Sequence, residues 1–152
     1  MGMSPDEALP PCLIRIDKDG RWFHEGREMI HREFIRLFYE NMELDEQGRH
    51  VIRWKGERCV VDVEDTAFVV RRVERDPDGL RLFLSDDTQE PLRPDTLRVG
   101  KDHVLYCRVK GGRFPARFAR PAYYQMAGEI EEHDGGYAVR LGGTLHPLEG
   151  LA

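Results

Sequence analysis

Between His103 and Gly128 the chain carries Arg108, Lys110, Arg113, Arg117 and Arg120 but no Asp or Glu, although its overall formal charge is −5. Guanidinium groups present a planar fork of donors that matches two phosphate oxygens, so the chemistry this island suggests is anion recognition. Alternation along extended segments puts Arg113 and Arg117 on one face, and Arg108 with Lys110 on one face before a break at Gly111-Gly112. Such a glycine pair would let bare backbone approach an anion. Arg120 stands just ahead of a helix opened by Pro121, where the helix dipole already favours negative charge. The competing reading is a solvated cationic face that balances acidic loops.

Other residues with chemical potential are weaker. Val63-Glu64-Asp65 places two carboxylates after a strand, and neighbours on a strand point to opposite faces, which favours a structural role over shared metal ligation. Trp22 has a face on which a base could stack, but in a hairpin opposite a helix it equally suits the core. His24 and His31 are seven residues apart with no His-x-x-x-His or Cys-x-x-Cys arrangement, so no metal site is expected. Ser4 and Ser85 have no nucleophile-elbow context, and neither phosphate-cradling glycine motif is present. The odd count of Cys12, Cys59 and Cys107 argues against a disulfide framework; Cys59 and Cys107 lie in apolar extended runs and read as buried thiols.

The elements that must position these residues follow from periodicity and turn chemistry. Cys12 to Ile16 and Arg21 to His24 form a hairpin across Asp17-Lys18-Asp19-Gly20. From about His31, Phe34, Ile35, Leu37, Phe38 and Met42 make the apolar stripe of a helix ending before Gln47-Gly48. Strands His50 to Trp54 and Glu57 to Val63 are joined at Lys55-Gly56. Phe68 to Glu74 and Leu80 to Leu84 pair across Asp76-Pro77-Asp78-Gly79. Ser85 to Asp95 reads as a loop and as the junction between two halves. Thr96 to Val99 suggests a short strand, and the cationic island reads as strands Val104 to Val109 and Phe114 to Phe118, then a helix Pro121 to Glu132. A turn at Asp134-Gly135-Gly136 leads to a strand Tyr137 to Leu141, and Gly142 to Leu148 completes the pattern.

The totals bound the class. At 152 residues, with 40% apolar and 34% charged residues, the chain has the composition of a globular protein that buries roughly 68–70% of its unfolded surface. It has no apolar run long enough to span a bilayer, and residues 1–11 read as a disordered leader without secretory or myristoylation features. The acidic total argues against a general nucleic-acid binder. A cytoplasmic location is the expectation from this composition.

A displacement of 88 residues superposes two helix-turn-strand stretches: Arg32 falls on Arg120, Ile35 on Tyr123, Phe38 on Met126, Met42 on Ile130, Gly48 on Gly136 and Val51 on Val139. Gly20-Arg-Trp-Phe-His-Glu-Gly26, Arg32 and Glu57-Arg-Cys-Val-Val-Asp-Val-Glu-Asp-Thr-Ala-Phe68 resemble the N-terminal half of the bacterial family known as domain of unknown function twelve eighty-five. Val109-Lys-Gly-Gly112, Ala116, Arg120-Pro121 and Tyr123-Tyr124 resemble its second half. Lys55, Thr66-Ala67, Lys110 and an extra Arg113 depart from the pattern and mark a divergent member. The resemblance implies an α+β fold with a duplicated core of two small β-sheet-plus-helix units, the C-terminal one pleckstrin-homology-like. It further implies a binding site between the halves for a nucleotide-like ligand, and a role in signal transduction.

The resulting expectation is a non-enzymatic module without cofactor or metal, divided as 12–84, a junction at 85–95, and 96–152. Its expected ligand is a phosphorylated small molecule. Arg32, Lys110, Arg113, Arg117 and Arg120 would meet phosphate, Trp22 or Tyr124 would meet an apolar ring, and Glu57 and Asp65 would orient the arginines. The alternatives are an adaptor that docks an acidic protein on the same face, and a phosphoester hydrolase built on Glu64 or Asp65. Neither a membrane nor sequence-specific nucleic acid is among the expected partners.

Overall fold

The computed structural model describes residues 9–150, so the leader expected over residues 1–11 lies outside the described residues at 1–8, whereas Pro11 already opens a strand and the Pro10 carbonyl accepts from the Val60 amide. The chain forms two compact units that divide between Ala67 and Phe68. The proposed junction at 85–95 is therefore displaced: the hairpin of residues 68–84 belongs to the second unit.

The first unit holds β1 (Pro11–Ile16), β2 (Trp22–His24), β3 (Arg27–Glu28), α1 (Arg32–Glu40), β4 (Met42–Leu44), β5 (His50–Trp54) and β6 (Glu57–Val63). Its six strands form one sheet in the order β3-β2-β1-β6-β5-β4, antiparallel apart from the β1–β6 pair. The β1–β2 turn is built by Asp17, whose Oδ1 accepts from the amides of Asp19 and Arg21 at 2.9 Å, an Asx arrangement typical of such turns. Ile35 and Tyr39 of α1 are buried with Ile16, Trp22, Val51 and Ile52, and the Tyr39 hydroxyl donates to the Ala67 carbonyl at 2.7 Å.

The second unit holds β7 (Phe68–Asp76), β8 (Gly79–Leu84), β9 (Gln89–Pro91), a 3₁₀ turn (Pro94–Thr96), β10 (Arg98–Val99), a second 3₁₀ turn (Lys101–His103), β11 (Leu105–Val109) and β12 (Phe114–Phe118). These are followed by α2 (Arg120–Ala127), β13 (Ile130–His133), β14 (Gly136–Leu141), β15 (Thr144–Pro147) and β16 (Glu149–Gly150). A seven-stranded sheet runs β16-β10-β11-β12-β7-β8-β9, and β13-β14-β15 form a separate meander. Parallel β7 pairs with β12 only from Phe68 to Val70. Past that point α2 satisfies the free edge: the Gln125 side-chain oxygen accepts from the Val73 amide at 2.7 Å.

The architecture is thus mixed α+β with two helices, and both helices end sooner than their apolar periodicity suggests. Asn41 closes α1, with Nδ2 donating to the Leu37 carbonyl at 2.8 Å, and Met42 opens β4 instead of extending the helical stripe. Ile130 likewise opens β13. The displacement of 88 relates the first residues of the helices, Arg32 and Arg120, and the fully buried Val51 and Val139. The buried helical faces, however, align at 87: Ile35 and Tyr39 correspond to Ala122 and Met126.

The cysteine expectation is overturned. Cys12 and Cys59 are joined by a disulfide, brought together because parallel pairing lays β1 beside β6. Cys107 is the buried free thiol expected, pushed up to about 12 by its burial and, secondarily, by the charge of Glu90. No helix among the described residues is long and apolar enough to cross a membrane.

Candidate anion-binding face

The strand pattern of the cationic island is realised in β11 and β12. Leu105, Cys107 and Val109, with Phe114, Ala116 and Phe118, turn inward and are buried. That alternation leaves Tyr106, Arg108 and Arg117 on the opposite face. Cross-strand register puts Arg98 of β10 beside Tyr106, and Tyr106 beside Arg117. The Arg98 guanidinium lies 4.5 Å from the centre of the Tyr106 ring, within cation–π range. Arg98 and Tyr106 were not visible as site residues because only the register connects them to Arg117.

The Gly111-Gly112 break forms a tight turn whose flanking amides, those of Lys110 and Arg113, have acceptors within the protein. Lys110, Gly111 and Gly112 all have positive φ, and the tight turn they form uses its own polar groups. The Lys110 amide donates to Glu90 and the Arg113 amide to the Lys110 carbonyl. The Gly112 carbonyl accepts from Arg108 Nε at 2.8 Å. Lys110 itself is withdrawn from ligand duty: its Nζ lies 2.6 Å from Asp86 Oδ2 and 2.8 Å from Thr88 Oγ1. It is a structural cation.

The remaining candidates separate along the chain. Arg113 is exposed, 5.2 Å from the Phe114 ring centre, at the start of β12, while Arg120 is exposed beyond its end. Seven residues of near-extended chain set their Cα atoms roughly 20 Å apart, too far to share one phosphate. Arg117, half-buried, and Arg120 flank the entry to α2, and Tyr124 on that helix is 66% exposed with its ring edge-on to Tyr123. The helix starts at Ala119 without a capping side chain and without an acid in its first turn. Pro121 has no amide hydrogen, the Ala119 amide donates to the Val70 carbonyl and the Tyr123 amide to the Ala119 carbonyl, so the amides of Arg120 and Ala122 are the first-turn donors without intrahelical acceptors, and Arg120 adds positive charge to that end.

Among the first unit's candidates, Trp22 and Glu57 lack the settings expected of them. Trp22 is 1% exposed, its ring 4.7 Å from Tyr39 and 6.3 Å from Phe38, so it has no face to offer a base. Arg32 opens α1 and is half-buried. Glu57 is exposed at the start of β6 and among the described residues pairs with no arginine, contrary to its expected orienting role. Asp65 lies beyond the far end of the same strand, roughly 25 Å of extended chain away. Glu64 has a structural partner, accepting from the Lys18 amide at 2.6 Å. No group of three metal-ligating side chains occurs among the described residues.

Residues 6–66 match the family model described as domain of unknown function (DUF1285), N-terminal domain. Over these residues the chain belongs to the DUF1285 family. The match ends one residue before the first unit does. A DUF1285 family protein from Silicibacter pomeroyi DSS-3, solved at 2.50 Å, is 22% identical with a TM-score of 0.73, over 97% of this chain and 88% of that one. A DUF1285 family protein from Shewanella baltica OS155, solved at 1.40 Å, is 20% identical with a TM-score of 0.65, over 78% and 93%. At these identities the likeness concerns the fold. No curated protein matches the chain.

Proposed function

We propose that this DUF1285 protein is a non-enzymatic binding module for a phosphate-bearing, nucleotide-like small molecule, held in the second unit where β12 enters α2. The observation that carries the reading is the uncapped, acid-free start of α2 with Arg120 as its first residue, a positive end with no acid in its own first turn. Arg117 supplies a second guanidinium and Tyr124 an exposed ring for a base or other planar group. The corresponding helix starts at Arg32 and Arg120, each followed by a three-stranded meander, support a duplicated core. A pleckstrin-homology-like second unit and a signalling role belong to the same reading, as ligand-responsive rather than catalytic properties. The Cys12–Cys59 bond favours an oxidising compartment over the cytoplasm expected from composition.

The test is a thermal-shift panel of nucleotides, cyclic dinucleotides and phosphorylated metabolites, since a ligand that binds only the native state raises the melting temperature by mass action. A saturable shift that Arg120→Ala abolishes, with the unliganded melting temperature unchanged, supports the reading. Absence of any shift overturns it in favour of a protein-docking face.

A further inference from the structure

Helix α1 carries two apolar stripes. Ile35 and Tyr39 are buried in the unit's core, whereas Phe34, Leu37 and Phe38 turn elsewhere and stay partly exposed, Phe34 to 50%. These three form one wall of a cavity of about 410 Å³ in the first unit. Opposite them the sheet contributes Ile52, Trp54 and the Cys12–Cys59 pair.

The volume is held open from both sides. The disulfide ties β1 to β6 where their register breaks between Pro11 and Arg15, and Leu13, at φ 62°, turns out to 55% exposure. On the helix side, the Tyr39 hydrogen bond to Ala67 and the buried Ile35 anchor α1. The pocket opens to solvent along Phe34 and Trp54, while an enclosed apolar cavity of only about 150 Å³ suffices to bind benzene. A preformed apolar pocket of several hundred Å³ has the dimensions of a small-molecule site.

Its polarity is confined to one end. Across His24 and Met29 the cavity adjoins a second hollow of about 540 Å³, lined in addition by Glu25, Arg27 and Glu28. Arg27 is exposed there and, among the described residues, forms an ion pair with neither glutamate. An occupant can therefore bury an apolar body against α1 and place a polar group at this end, where Arg27 is the cation of a lining that also holds His24, Glu25 and Glu28.

We propose that the first unit binds a small carboxylate amphiphile, its chain or ring between α1 and the disulfide-bearing sheet face and its carboxylate at His24 and Arg27. The site is separate from the α2 entry and does not depend on the reading given for it.

The probes are 1-anilinonaphthalene-8-sulfonate, whose fluorescence reports entry into the apolar volume, and sub-micellar decanoate and decanol as competitors. The expected result is one saturable site per chain from which decanoate displaces the dye. Leu37→Trp, which fills the cavity, should weaken both ligands by about tenfold or more. Arg27→Ala should weaken decanoate about tenfold while leaving decanol unchanged, because only the acid makes a charge-assisted hydrogen bond. Should Leu37→Trp fail to melt cooperatively, the Arg27→Ala contrast decides. Unaltered binding in a natively folded Leu37→Trp, equal loss of decanoate and decanol in Arg27→Ala, or no displacement at all overturns the proposal. So does a dimer of the unliganded chain in sedimentation that Leu37→Trp dissociates, since the face would then be covered by a second copy.

Discussion

Lys110 Nζ meets Asp86 Oδ2 at 2.6 Å, and the Asp86 side chain is only 8% exposed. The same carboxylate accepts from the Thr88 amide and hydroxyl through Oδ1, so both of its oxygens are committed. Removing the cation leaves a nearly buried carboxylate with Oδ2 unpaired and two of its three partners. Lys110→Ala should destabilise the second unit by about 2 kcal/mol, lowering its melting temperature by roughly 8–16 °C. Because the lysine is internally engaged, the variant should bind phosphorylated ligands as the parent does. Melting curves with and without ligand check both statements, and an unchanged melting temperature would show that the pair contributes nothing.

The disulfide closes a 47-residue separation, for which chain-entropy arguments give about 4 kcal/mol of stabilisation. Cys59→Ser, or a reductant applied to the parent, should lower the first unit's melting temperature to the same degree. Thiol titration separates the bonded and free cysteines: the native protein should react slowly, because Cys107 is buried. Denaturation without reductant should expose one thiol, and with reductant three. Two further thiols without reductant would mean that Cys12 and Cys59 are not joined. The Cys107 proton also has a pH consequence. Burial raises its native pKa to about 12, so above the ordinary cysteine range the unfolded chain releases a proton the native chain keeps. The stability from this group is present below that range and is lost as pH rises toward 12, an effect that Cys107→Val should remove.

What the sequence revealed was local. Asp76 to Gly79 and Lys55-Gly56 specify their hairpins through turn chemistry carried by the turn residues themselves. The alternation around Arg117 was equally readable. The ends of both helices were not, because Met42 and Ile130 continue the apolar helical period while pairing with Ile52 and Val139 draws them into strands. Parallel pairing of β1 with β6 is non-local too, and it alone brings Cys12 to Cys59. The fate of Lys110 depended on Thr88, 22 residues away, and on Asp86 beside it in the same turn. The tract of positive charge was visible; which cations were already neutralised was not.

His50, at the start of β5, is half-buried, and burial lowers its pKa from the ordinary imidazole value. The native state therefore holds the neutral ring while the unfolded chain takes up a proton first as pH falls. The corresponding stability is complete above about pH 6.5 and is lost as pH drops through the lowered native value. Melting temperatures measured from pH 7.5 down to 5 should fall for the parent and fall less steeply for His50→Gln. Parallel slopes would assign the acid sensitivity to other groups.

Ala119 has φ −65° and ψ 160°, the extended backbone that a helix N-cap adopts, yet it has no side-chain acceptor for the first-turn amides. Ala119→Ser should therefore stabilise the second unit by about 0.5–1 kcal/mol, and Ala119→Asp by somewhat more because its charge also opposes the helix dipole. The two substitutions differ in what they do to an anion. Serine satisfies an amide without adding charge, while aspartate places a carboxylate where the proposed phosphate would sit. If α2 receives that phosphate, Ala119→Asp should gain stability and lose the ligand-induced thermal shift, while Ala119→Ser gains stability and keeps most of it. A stabilised Ala119→Asp that still binds every phosphorylated ligand as tightly as the parent would move the site away from the start of α2.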